Sequence, residues 1–204
     1  MSNSPRVAYA DESAATLPAT GKRVYVLAAT VVDVGADVEE IRARMRELYT
    51  ARRRRSEPSH PAKLHWYDEG ERHRARICTA VCALPAVTHV AVCLNSAPRR
   101  DERARAHCLE QLLLQLPPLG VQTLILERRD TALNSRDVRT VLGLRRRGVG
   151  IGLRIEHGDP ELEELLWIPD SIAGAYTSSL TGRRPYWAAL TSAAVVQVYE
   201  TDYR

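Results

Sequence analysis

Three acidic residues stand where the chain changes direction or element. Asp11 closes an alternating apolar stretch, Glu127 closes another, and Asp170 follows a proline that interrupts a helix. Carboxylates are the natural ligands of hard cations such as Mg²⁺ or Mn²⁺. A pair of such ions ~3.5–4 Å apart would stabilise the attacking and leaving oxygens of phosphodiester hydrolysis. Each acid alone fits a plainer role, as a solvated strand end or a helix cap. Gathered at one edge of a sheet, they would form a metal site.

The stretch "VAYADES" at 7–13 alternates, with Val7, Tyr9 and Asp11 on one face and Ala8, Ala10 and Glu12 on the other. On a central strand, an ionised Asp11 is costly unless it is paired or holds a metal. Adjacent Glu12 points the opposite way, where it would hold backbone or a basic residue, and would join the metal only across a bulge. After the strand at 121–127, either Glu127 or Asp130 could supply a carboxylate. "KLHWY" at 63–67 sets Lys63 and His65 on one face if extended. Lys63 could neutralise a phosphate, and His65 could ligate metal or move a proton. The plainer alternative is an exposed basic strand with Trp66 packed inward.

Elements able to position these residues follow from periodicity. Strands are expected at 6–12 and 22–32, paired as an antiparallel hairpin across a turn at 14–21, and at 88–94, 121–127 and 150–156. Helices are expected from the Asp37 cap to the arginine run at 52–55, then at 71–84, 101–116 and 134–148, the last capped by Asn134 or Ser135. Asp159-Pro160 should open a further helix that kinks or restarts at Pro169, leaving Asp170 in a first turn. Residues 186–200 read as a closing amphipathic helix. A leading hairpin followed by alternating strands and helices implies an α/β layer structure around one mixed sheet, in a single domain over 1–204.

With 45% hydrophobic and 26% charged residues the chain is globular, and its +4 net charge permits contact with nucleic acid without requiring it. Arginine runs at 52–55 and 145–147 follow helices and complement their dipoles. Nowhere do eighteen apolar residues run together, so no membrane partner and a cytoplasmic location are expected. Cys78, Cys82, Cys93 and Cys108 lack ligand spacing and read as buried thiols. A nucleophile elbow, a phosphate loop and a His-Glu-x-x-His motif are all absent.

"VAYADES" resembles the Tyr-x-Asp-Glu-Ser opening of an uncharacterised bacterial family, the domain of unknown function 3800 family. "LLWIPDSIAGAYTSSLTG" at 165–182 is similar to its late Asp-x-Ile-Ala-Gly motif, and "KLHW" falls where that family has a short Lys- or His-containing motif. Trp167 and Pro169 stand where the family usually has Gln and Ala. The resemblance implies a ribonuclease H-like fold, helices on both faces of the sheet, and a divalent-metal-dependent nuclease acting on DNA or RNA. Asp11, Asp170 and Glu127 or Asp130 would hold the metal, with Glu12 a further candidate, while Glu12 and Ser13 shape the following turn. A catalytically inactive module that binds nucleic acid or a partner protein, or a homodimer, is the alternative.

Overall fold

The computed structural model describes residues 5–35, 38–53, 63–84, 87–96, 100–183, 185–193 and 195–202. The chain opens with a long hairpin of β1 (Arg6–Thr16) and β2 (Arg23–Asp33). The two strands pair antiparallel, with Asp11 opposite Ala28. β1 therefore runs past the expected end at residue 12, and the turn shrinks to Leu17–Lys22. There the Leu17 N–H donates to the Lys22 carbonyl at 2.7 Å. Ser13 thus belongs to the strand and shapes no turn.

The remaining elements are α1 (Val38–Arg53), a 3-10 turn (Trp66–Asp68), α2 (Glu71–Cys82), β3 (Val87–Ser96), α3 (Asp101–Gln115), β4 (Val121–Glu127) and α4 (Thr131–Arg146). After them come β5 (Arg154–Gly158), a 3-10 turn (Glu164–Leu166), α5 (Trp167–Leu180), α6 (Pro185–Ala193) and β6 (Val195–Asp202), and a further 3-10 turn (Pro117–Leu119) links α3 to β4. The six strands form one sheet in the order β5-β4-β1-β2-β3-β6. β1 pairs parallel with β4, β4 with β5 and β3 with β6, and only β2 runs antiparallel to its neighbours. This is the expected α/β arrangement, a mixed sheet entered through an antiparallel hairpin.

Helices cover both faces because β1 and β2 are apolar on both. On one face Tyr9, Val24, Val26 and Ala28 pack with Ile41 and Met45 of α1, Ile77 of α2 and Ile172 of α5. On the other, Ala8, Ala10, Tyr25, Leu27 and Ala29 pack with Leu109 and Leu112 of α3 and Val141 and Leu144 of α4. Ala8 and Ala10 of β1 face the leucines of α3 and α4, while Tyr9 faces the side on which α5 packs against β1.

Several expected boundaries move. Helix α4 starts at Thr131 because Asp130 caps it, its Oδ1 accepting the Leu133 N–H at 2.9 Å. Asn134 instead bonds the backbone of Arg129 through both side-chain atoms. Positive-φ glycines Gly150 and Gly152 delay β5 until Arg154. Asp159-Pro160 opens only a turn, and the helix restarts at Trp167, so Pro169 sits in a first turn where no backbone bond is lost. Residues 63–67 are not a strand: Trp66 starts a 3-10 turn. The closing helix stops at Ala193, and β6 adds to the open edge of β3. Arg54, Arg55 and the Asp37 cap lie outside the described residues, as does the side chain of Cys93. Cys78 and Cys108 are buried and Cys82 half-buried, and none of the three is in a disulfide. Among the described residues, no helix is long and apolar enough to cross a membrane.

Candidate active site

The last rung between β1 and β4 joins Ala10 to Leu126, so Asp11 and Glu127 are the next residues on two neighbouring parallel strands. The N-terminal end of α5 brings in Asp170 from the sheet face that carries Tyr9 and Asp11. Asp11 and Asp170 are each only 6% exposed. Asp11 Oδ1 accepts the Glu12 N–H at 2.7 Å, and Asp170 Oδ2 accepts the Trp66 N–H at 2.7 Å.

Trp66 fixes Asp170 from a second direction. Its indole N–H donates to Ser178 Oγ at 3.0 Å, two turns along α5. The ring lies so close to Gly174 that a Cβ there would meet its Cδ1 at 2.3 Å. Glycine at 174 is therefore needed for the approach of the indole, not for backbone freedom. The "KLHW" and "DSIAG" stretches thus meet as one packed unit.

Lys63 Nζ binds Glu127 Oε1 at 2.6 Å. His65 Nε2 lies 3.9 Å from Asp170 Oδ1. The Nδ1 atom of His65 is buried without a hydrogen bond, 4.0 Å from Asp68 Oδ2. Lys63, His65, Asp11, Glu127 and Asp170 thus lie at one end of the sheet. Asp130 is not among them, since it is exposed and spent on capping α4.

Glu12 also leaves the group. It faces α3, where Oε2 accepts from Arg105 Nη1 at 2.5 Å. Arg105 is 1% exposed and also grips Asp137 at 2.9 and 3.0 Å. Arg129 joins through Asp137 at 3.0 Å and Glu102 at 2.6 Å, and His157 Nε2 lies 3.2 Å from Asp137. Burial alone would raise the Asp137 carboxyl, but His157, Arg105 and Arg129 bring it down to about 2. β1 thus separates two charge clusters, an ion-paired one behind and a carboxylate-rich one in front.

The front cluster is short of positive charge. Burial first, then the charges of Asp170, Glu127 and Glu12, push Asp11 well above the ordinary carboxylate range. Asp170 is pushed up to about 6, chiefly by burial and also by Glu127, against the pull of His65, the Trp66 N–H and Lys63. Burial would lower the Lys63 ammonium, but Glu127, Asp11 and Asp170 hold it above its usual value. Among the described residues no three His, Cys, Asp or Glu side chains converge closely enough to hold a metal ion. The donor chemistry nevertheless fits a hard cation, because it offers carboxylate oxygens whose crowding such an ion would relieve.

Sequence reasoning missed a hydroxyl cluster beside these acids. Ser13 Oγ lies 3.0 Å from both Tyr67 Oη and Thr177 Oγ1, and the latter two are 2.8 Å apart. The signal was periodicity: Ser13 follows Asp11 by two on a strand, and Thr177 follows Asp170 by seven on a helix. Tyr67 itself carried none.

No family model matches the chain, and no curated protein matches it. Among solved structures, the chain is similar to one in the PCNA:RNase HII complex from Archaeoglobus fulgidus. The identity is 13%, over 84% of this chain and 72% of that one, at a TM-score of 0.47. A likeness of that size carries no argument about function.

Proposed function

We propose that the chain is a divalent-metal-dependent nuclease hydrolysing phosphodiester bonds in DNA or RNA. The observation behind this reading is the buried, mutually repelling pair Asp11 and Asp170, set beside Glu127 at the ends of parallel strands. Such edges are where α/β proteins place their ligands. Asp11, Asp170 and Glu127 would have to draw closer together to hold Mg²⁺ or Mn²⁺, which when bound would activate a water and offset charge on the phosphate. Lys63 adds a fixed positive charge where a phosphate would lie. His65 Nε2, at the rim, is within reach to exchange a proton with a departing oxygen. Burial of both aspartates keeps bulk water from weakening these interactions. Membership of the domain of unknown function 3800 family belongs to the same proposal, since its early and late motifs both end in this cluster.

The Lys63–Glu127 bond favours a second reading, a module that binds nucleic acid or a partner protein without cutting. There the ammonium takes the place of a cation. A cleavage panel separates the two: single- and double-stranded DNA, RNA and a hybrid, each with Mn²⁺, Mg²⁺ or chelator, and Asp11→Asn as control. Metal-dependent cutting that the variant lacks supports the nuclease. Independently of activity, Mn²⁺ should raise the melting temperature of the native protein, since a ligand of the folded state stabilises it. A thermal shift that survives Asp11→Asn would show that the metal binds elsewhere.

A further inference from the structure

Tyr67 is mounted the wrong way round for a surface tyrosine. Such residues ordinarily bury the ring and leave the hydroxyl in water. Here the hydroxyl is tied to Ser13, itself buried, and to Thr177, which is 0% exposed, while the residue as a whole is 50% exposed. What faces solvent is therefore largely ring. Its backbone is also held, because Arg74 Nη2 donates to the Tyr67 carbonyl at 3.2 Å and Arg74 Nε to that of Trp66 at 3.0 Å. Arg74 is 5% exposed, so this support is fixed inside the protein.

The ring also stands next to the acids. Its centroid lies 6.0 Å from that of His65, whose Nε2 approaches Asp170. Its anchors Ser13 and Thr177 share their elements with Asp11 and Asp170. An apolar surface held rigidly open to water costs stability and recovers it only when covered. A flat ring beside a site for phosphodiesters is best covered by another flat ring. Base stacking on an exposed aromatic requires a base free of its own helix.

We propose that Tyr67 is a stacking platform for an unpaired nucleobase next to the phosphate at the acidic cluster, so that the strand bound there is single-stranded. This rests on the nuclease reading and narrows its substrate. The hydroxyl cluster holds the ring in place, and the contact is indifferent to base identity because every base has a π-face.

The test uses the full chain carrying Asp11→Asn, so that nothing is cut, and a short single strand with 2-aminopurine in its middle. The same strand annealed to its complement is the control. Binding is followed by anisotropy, and stacking by quenching of the 2-aminopurine. Adding Tyr67→Ala should weaken single-strand binding by roughly tenfold, within the range for loss of one base–aromatic stack, and abolish the quenching. Duplex binding should be unchanged. Tyr67→Phe keeps the ring and leaves Ser13 and Thr177 bonded to each other, so it should retain the quenching. It also guards against a folding defect in the alanine variant. Single-strand affinity and quenching unaffected by Tyr67→Ala would overturn the platform while leaving the nucleic-acid reading intact. Failure of both strand forms to bind even with Tyr67 present would overturn both.

Discussion

Removing a carboxylate from the front cluster should stabilise the protein when no metal is supplied. In Asp170→Asn the side-chain oxygen that accepts the Trp66 N–H is retained, so the change removes charge more than contact. Asp170 is 6% exposed and pushed up to about 6 from its ordinary 3.8, a gap equivalent to about 3 kcal/mol. Because the folded-state value is raised, the associated stability is fully present below about pH 4 and is lost as pH rises through about 6. The variant has no such titration. It should therefore match the native protein near pH 4 and exceed it at pH 8, by about 2 kcal/mol once some loss of the favourable His65 contact is allowed for. For a chain of this length that is roughly 4–8 °C in melting temperature. The assay is thermal unfolding in chelator across this pH range, repeated with Mn²⁺. With metal the ranking should reverse, because only the native site can bind it. A variant less stable than native at pH 8 in chelator, or a difference that does not change with pH, would refute the reasoning.

Arg105→Met should cost about 3 kcal/mol, since it removes the buried cation shared by Glu12 and Asp137 and leaves only Arg129 and His157 to offset them; chemical denaturation measures this. Gly174→Ala drives a methyl into the Trp66 indole and should destabilise by at least the ~1–3 kcal/mol typical of overpacking. A stability within error of native would mean that the contact is not tight. Asp130→Ala should remove only a helix cap, about 1 kcal/mol, and leave any metal-induced thermal shift untouched, whereas Glu127→Gln should reduce that shift.

The hairpin, the central strands and most helices were legible because their apolar periods are long. Asp11 and Asp170 were legible for a related reason, since each is a charged residue at the edge of an otherwise apolar element. The closing segment was not. "AAVVQVY" satisfies a helical stripe and a strand equally, and only the unpaired side of β3 selects the strand. Inward packing of Trp66 was one alternative, but nothing in the sequence showed that its backbone would hold Asp170 from 104 residues away. Nothing in the sequence marked Arg105, whose burial depends on acids contributed by β1 and α4. The choice between Glu127 and Asp130 likewise needed the true start of α4.

The alternation of β1 has a consequence for how the site is assembled. A one-residue slip of this strand would send Asp11 to Arg105 and Glu12 to Asp170. Each side would still receive an acid, so charge gives little protection against the error. Size does. The slip would force Tyr9 into the face where Ala8 and Ala10, both 0% exposed, pack among leucines of α3 and α4. It would also put an alanine beneath α5 where Tyr9 now stands, leaving a gap the size of the missing ring. Two adjacent acids make the frame of this strand electrically ambiguous, and a single large residue among alanines makes it sterically unique.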